Sequence, residues 1–431
     1  MSGKAREDKK NRRAGRWPGR APLAGLAAIA AMAALPALAQ TTGRNPSHED
    51  ILRGFDIAAL YADKDQGRIG YGSGATLTGV VTKWTGPVRY RIEGMDYDKA
   101  RIAESIAALN RLAGIAGVTV EPAGTGNPNF SIIFVNTEDL RTSNGGRAGC
   151  ITSWNEDKWY GRLHWAKLTI NLGHRGDIGR CIVHEMLHAF GLRGHPHRLH
   201  SILSYSTDRF VFDLTEADTV MLQTLYDKRI PAGLARLPAV ALADGIIEEK
   251  RRALNPAAPP KSAAEPVLDD ILADLRKAAD DGNVRAMLHL AEAYRFGIRL
   301  PKDMAQMAAL LDRADALTDM DRVFDLAYAL QFGRHVPKDL PRAAAIYRRG
   351  AEAGFTAFQN NLGTMLRDGT GIPPDQTEAL MWFTIAARAR HAMAESNRSK
   401  LSETAPGEVQ AAAIARADAW KPAATAAKQG P

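Results

Sequence analysis

One short stretch of this chain holds residues that could do chemistry together. It begins His184-Glu185-Met186-Leu187-His188, a His-Glu-x-x-His pattern. Residues four apart share one face of a helix, so His184 and His188 can aim two imidazole nitrogens at one metal ion. Glu185 then stands beside that ion, where a carboxylate can take a proton from water; this is the residue set of a zinc hydrolase. Gly191 follows three residues after His188, where the helix must stop, and glycine tolerates the left-handed turn that ends helices. His195, His197 and His200 come next. A catalytic zinc takes three protein ligands and keeps one open position. The third would come from this histidine cluster, from His195 or His197.

The run HEMLHAFGLRGH, followed by SILSY at 201–205, resembles the metzincin metallopeptidases. Their signature is His-Glu-x-x-His-x-x-Gly-x-x-His. This sequence departs from it at the third histidine, because Gly194 holds that position and His195 comes one residue later. It departs again in the family's Ser-x-Met-x-Tyr turn, where Leu203 replaces methionine. Leucine supplies a similar apolar volume but no sulfur. The resemblance implies a Zn2+ cofactor held by His184, His188 and His195. It also implies Glu185 as the acid–base residue and Tyr205 as a catalytic residue steadying the oxyanion. Residues 214–227 read as a helix with Thr215 as N-cap and an apolar stripe of Ala217, Val220, Met221 and Leu225, similar to the family's closing helix.

The elements that must position these residues lie upstream. Residues 80–94 (VVTKWTGPVRYRIEG) read as a strand with a turn at Gly86-Pro87, and 98–112 as an amphipathic helix with Ile102, Ile106, Leu109 and Leu112 on one face. Residues 118–121, 131–135, 148–154 and 163–172 read as strands. The resemblance implies an α+β catalytic domain over 45–242, a twisted, mixed and mostly parallel sheet with helices. Residues 148–154 would then be the edge strand, against which an extended protein or peptide substrate can pair. KWTGPVRYRIEG and LTEADTVMLQTLYDKRIPAGL are also similar to a group of uncharacterised bacterial secreted proteins.

The first 20 residues carry eight Lys/Arg, and an alanine-rich apolar run ends at Ala37-Leu38-Ala39. That is the pattern of a signal peptide over 1–39, which places the mature protein in the periplasm or outside the cell. Arg12-Arg13 leaves the twin-arginine route open beside the general one. The leader carries six of the eight net positive charges, so no nucleic-acid partner is implied. No later segment is apolar enough to span a membrane. Only two cysteines occur, Cys150 and Cys181, and a disulfide between them is expected in an oxidising compartment. Asp56, Asp63 and Asp65 could block a metal site in a latent form, although a solvated N-terminal segment is the expected state.

Residues 243–266, ending in NPAAPPKSAAEP, read as a short helix and a linker. Beyond them Gly297, Gly333 and Gly369 recur at a fixed spacing, as do Pro301, Pro337 and Pro373, and Asp303, Asp339 and Asp375. Leu290, Leu326 and Leu362 keep the same register. Such periodicity marks a solenoid of helical hairpins. The pattern resembles Sel1-like repeats, relatives of the tetratricopeptide class, and implies an all-α Sel1/TPR-like module over 267–404 that binds a protein partner. Its aromatic residues Tyr347, Phe358, Trp382 and Phe383 are expected in the core, and His289, His335 and His391 as isolated side chains. Residues 405–431 read as a mobile tail. Two functions fit: a zinc metallopeptidase, or a non-catalytic adaptor built on a degenerate metzincin-like domain.

Overall fold

Among the described residues five strands form one mixed sheet in the order β2-β1-β3-β5-β4: β1 (Val88–Gly94), β2 (Val120–Pro122), β3 (Phe130–Val135), β4 (Cys150–Asp157) and β5 (Arg162–Asn171). The computed structural model describes residues 46–60, 79–94, 98–137, 140–141, 148–157, 159–174, 176–196, 199–204 and 211–422. The expected leader, Asp63, Asp65, His197, Tyr205 and residues 423–431 lie outside them. β1, β2, β3 and β5 run parallel, and β4 pairs antiparallel with β5. Phe130, Ile132 and Phe134 alternate inward along β3, the period-2 signature of a strand with one buried face. The expected strand over 80–94 begins only at Val88. Its first half leaves the sheet because Val81 and Lys83 bond instead to Leu234 and Gly161.

Helix α1 (His48–Phe55) continues into a π turn at Asp56–Leu60. Ile51, Leu52 and Phe55 are fully buried, so this segment is packed rather than solvated. Asp56 is gripped by Arg236 at 2.7 Å through both carboxylate oxygens, which removes it as a metal-blocking residue. Helix α2 (Lys99–Ala116) outruns the expected 98–112 and ends at left-handed Gly117. Helices α3 (Ile178–Ala189) and α4 (Glu216–Leu225) carry the site's framework. Helix α3 packs on β4 and β5, with Ile182, Met186 and Leu187 fully buried. Each such side chain contributes roughly 1.5–3 kcal/mol.

Cys150 of β4 and Cys181 of α3 form the expected disulfide, with Cα atoms 5.8 Å apart. Replacing both by alanine is expected to lower stability by about 3–4 kcal/mol through loss of loop-closure constraint. A urea unfolding curve measures this; an unchanged midpoint would contradict it.

The short helix expected at the start of 243–266 is the second half of a longer one, and a non-helical connection over 255–264 follows it. Helix α5 (Arg236–Leu254) runs through the expected boundary at Leu242, with Ile246, Ile247 and Arg251 buried, and α6 (Glu265–Asp280) follows. The hairpins α7/α8 (Val284–Phe296, Met304–Asp315), α9/α10 (Met320–Phe332, Leu340–Glu352) and α11/α12 (Thr356–Asp368, Gln376–Arg388) then stack as an all-helical solenoid. The repeated residues have matching tasks. Gly297, Gly333 and Gly369 end the first helix of each pair in the left-handed conformation, and Asp303, Asp339 and Asp375 cap the second. A second left-handed position recurs at Arg299, His335 and Gly371. A non-glycine there costs on the order of 1–2 kcal/mol. Tyr347, Phe358, Trp382 and Phe383 are buried as expected.

Helix α13 (Ala392–Ser402) is capped by His391, and α14 (Gly407–Ala419) packs on α12. The start of the expected mobile tail is therefore ordered: Ala413 and Ala417 are buried and Trp420 meets Trp382 edge to face. No helix among the described residues is long and apolar enough to cross a membrane.

Candidate metal site

The C-terminal half of α3 carries His184, Glu185 and His188, and the chain then turns sharply at Gly191 (φ 102°). A Cβ at Gly191 would stand 2.2 Å from the Thr82 carbonyl oxygen, so close approach as well as conformation requires glycine here. The turn is fixed from outside: Trp84 Nε1 donates to Ala189 O at 3.0 Å, and the Tyr226 hydroxyl donates to Phe190 O at 3.1 Å. Nearby, the Lys83 ammonium donates to Leu225 O at 2.9 Å and Ile230 O at 2.6 Å at the end of α4, and burial pushes its pKa down to about 8. After the turn, Arg193 N and Gly194 N both donate to Ala58 O of the π turn, at 2.5 and 3.0 Å. The extra residue Gly194 is thus accommodated, and His195 swings toward α3.

His184, His188 and His195 meet there. Their Nε2 atoms lie 3.2, 3.2 and 3.3 Å from one another, and each side chain is at most 9% exposed. His184 Nδ1 bonds to Ile202 O at 2.8 Å and His188 Nδ1 to Leu192 O at 2.6 Å. A carbonyl only accepts, so both neutral rings carry their proton on Nδ1 and leave Nε2 unprotonated. Burial pushes both imidazoles down to about 4, helped in His184 by the neighbouring His188. Nitrogens this close either share a proton, with His195 as donor, or surround a cation. These are the residues that could hold a metal.

The Ser201–Ser204 turn lies under the histidines, with Ile202 and Leu203 fully buried. Asp218 of α4 holds the turn: it accepts from Ile202 N at 3.0 Å, Thr215 N at 2.9 Å, Thr215 Oγ1 at 2.8 Å and the Ser201 hydroxyl. Thr215 is the expected N-cap, paired with Asp218 in a capping box. Ile202 is therefore held by Asp218 through its N–H and holds His184 through its carbonyl.

Glu185 is partly buried near His184, and burial pushes its carboxyl up, against the pull of His184 and Thr152. Its Oε2 accepts from Thr152 N at 2.9 Å, and its carbonyl accepts from Thr152 Oγ1 at 2.8 Å. Oε1 has no hydrogen-bond partner among the described residues. Farther along β4, Glu156 pairs with Arg193 at 2.7 Å, next to the His195 loop. The edge strand thus touches the site twice. Sequence reasoning missed Thr152 and Asp218. The Thr-x-x-Asp spacing was a readable capping box, but nothing local connects it to His184. Tyr205 lies outside the described residues. In the solenoid His289 and His335 are not isolated: their ring centroids are 4.7 Å apart.

Residues 48–242 match the family described as Protein of unknown function (DUF2927). Residues 284–311, 323–355 and 356–391 match the Sel1 repeat, so the C-terminal solenoid is built of Sel1 repeats. Solved structures similar to the chain include a Sel1 repeat protein from Oxalobacter formigenes. That match has 29% identity and a TM-score of 0.24, and covers 30% of this chain and 97% of that one. Another is c5321, a protective antigen present in uropathogenic Escherichia coli strains displaying an SLR fold. Here identity is 19% and the TM-score 0.22; 56% of this chain is covered, and the chain spans about half (52%) of that protein. No curated protein matches the sequence.

Proposed function

We propose that the domain is a zinc-dependent peptidase and that the Sel1 repeats bind a protein partner. The observation that carries this reading is the triangle of Nε2 atoms. Ligands about 2.0–2.1 Å from a tetrahedral zinc lie about 3.3–3.4 Å apart, and the three separations of 3.2–3.3 Å fit that set. The backbone carbonyls on two Nδ1 atoms are the kind of outer partner that orients zinc-binding histidines. His184, His188 and His195 would hold the ion. Bound zinc would supply Lewis acidity, drawing electron density from a peptide carbonyl and acidifying water.

The remaining work falls to the chain's own groups. Glu185 Oε1 takes a proton from the attacking water while Oε2 stays on Thr152 N. The hydroxyl adds to the scissile carbonyl carbon, the C–N bond breaks, and Glu185 returns the proton to the leaving amine. The outer edge of β4 has no strand partner among the described residues, and an extended peptide can pair with it. Tyr205 would steady the oxyanion.

Metal content by plasma mass spectrometry tests the reading. The full chain should carry about one zinc per molecule, and a His184→Ala/His188→Ala variant none. Metal-free protein after refolding with zinc would overturn it. Zinc without hydrolysis would leave the adaptor function.

A further inference from the structure

We infer that Trp159 is a positioning residue: the solenoid grips it, and through β4 this grip holds Thr152 against Glu185. The inference goes beyond the peptidase reading and does not depend on whether a metal binds.

The turn joining β4 to β5 reaches the first helices of two repeats. Trp159 stacks on Tyr328 of α9, with centroids 4.9 Å apart and planes at 24°, and the Arg285 guanidinium of α7 lies 4.8 Å from its ring. Arg285 is itself aligned by Asp325 at 2.7 Å. Arg334 sits 3.6 Å from the ring of Tyr160. His335 lies 6.3 Å from Trp159, and its Nδ1 meets Glu292 at 3.0 Å. His335 occupies the strained left-handed position that is glycine in the third repeat, at Gly371.

The near side of this grip is stiff. Asp157 Oδ1 accepts from both Trp159 N and Tyr160 N, at 2.9 and 3.0 Å. From there β4 runs to Glu156, paired with Arg193, and on to Thr152, paired with Glu185. Among the described residues β4 has only β5 beside it in the sheet; its start is tied to α3 by the Cys150–Cys181 disulfide and its end by the turn, so the placement of the stretch between them, Thr152 included, depends on both ties. In this arrangement the partner-binding module is also a fixture of the site.

Amide exchange on the full chain, without metal, tests this separately from any zinc or peptidase result. In Trp159→Ala the Thr152 amide should exchange at least about tenfold faster, while α12 amides keep their rate. Trp159→Phe, which can still stack on Tyr328, should restore the Thr152 rate. Should Trp159→Ala fail to fold, Tyr328→Ala removes the same contact from the solenoid side and must give the same selective change. Acceleration confined to residues 159–162, or equal acceleration in α12, would overturn the inference.

Discussion

Glu185→Gln is expected to reduce hydrolysis of an unfolded protein such as casein by about 10²–10⁴-fold while zinc content stays unchanged. Glutamine keeps the size of the side chain and an oxygen that can accept from Thr152 N, so α3 and β4 should stay in register. It cannot take a proton at neutral pH. Burial already disfavours the charged carboxylate of Glu185, which makes it a stronger base than an exposed glutamate. The measurement is the initial rate of both proteins beside their zinc content. Equal rates would remove Glu185 from the chemistry. Loss of zinc in the variant would mean that the carboxylate serves the site's structure.

Asp218→Ala is the second large effect, and it is expected without touching a histidine. The carboxylate is fully buried and accepts from two backbone N–H groups and two hydroxyls. Removing it leaves those donors with no water to replace it, at roughly 1–3 kcal/mol for each left unsatisfied. A loss of about 3–5 kcal/mol is expected overall, because the hydroxyls can turn to other acceptors. The same change frees Ile202, whose carbonyl fixes the His184 ring. Zinc affinity should fall by about 10–100-fold, as for other outer partners of metal ligands. Thermal unfolding and zinc titration with a competing chelator read the two effects. Lower stability with unaltered affinity would show that the Ser201–Ser204 turn is held by other means.

How much of this was legible beforehand follows from the range of the interactions involved. His184, Glu185 and His188 lie within one helical turn and a half, and helical geometry alone puts them together. Gly191 and Thr215 were readable for the same reason, since caps and turns are local. The solenoid was readable because its glycines and aspartates repeat the same local task. What escaped depends on partners far along the chain: Thr152 on Glu185, Trp159 on Tyr328, Ala58 on the His195 loop. The helical tail was misread because an alanine-rich, charged stretch looks alike whether solvated or packed. Its burial comes from α12, not from its own pattern.

The Ala58 carbonyl that accepts from Arg193 and Gly194 ties the His195 loop to distant parts of the chain. Ala58 is itself placed by the π turn, which Asp56 anchors to Arg236, 180 residues later in the chain. Arg53 of the preceding helix reaches Asp270, 217 residues on. The shape of the loop carrying His195 therefore rests on residues as far along the chain as Arg236 and Asp270, and a chain ending before Arg236 would hold all three histidines without the anchor that places the third.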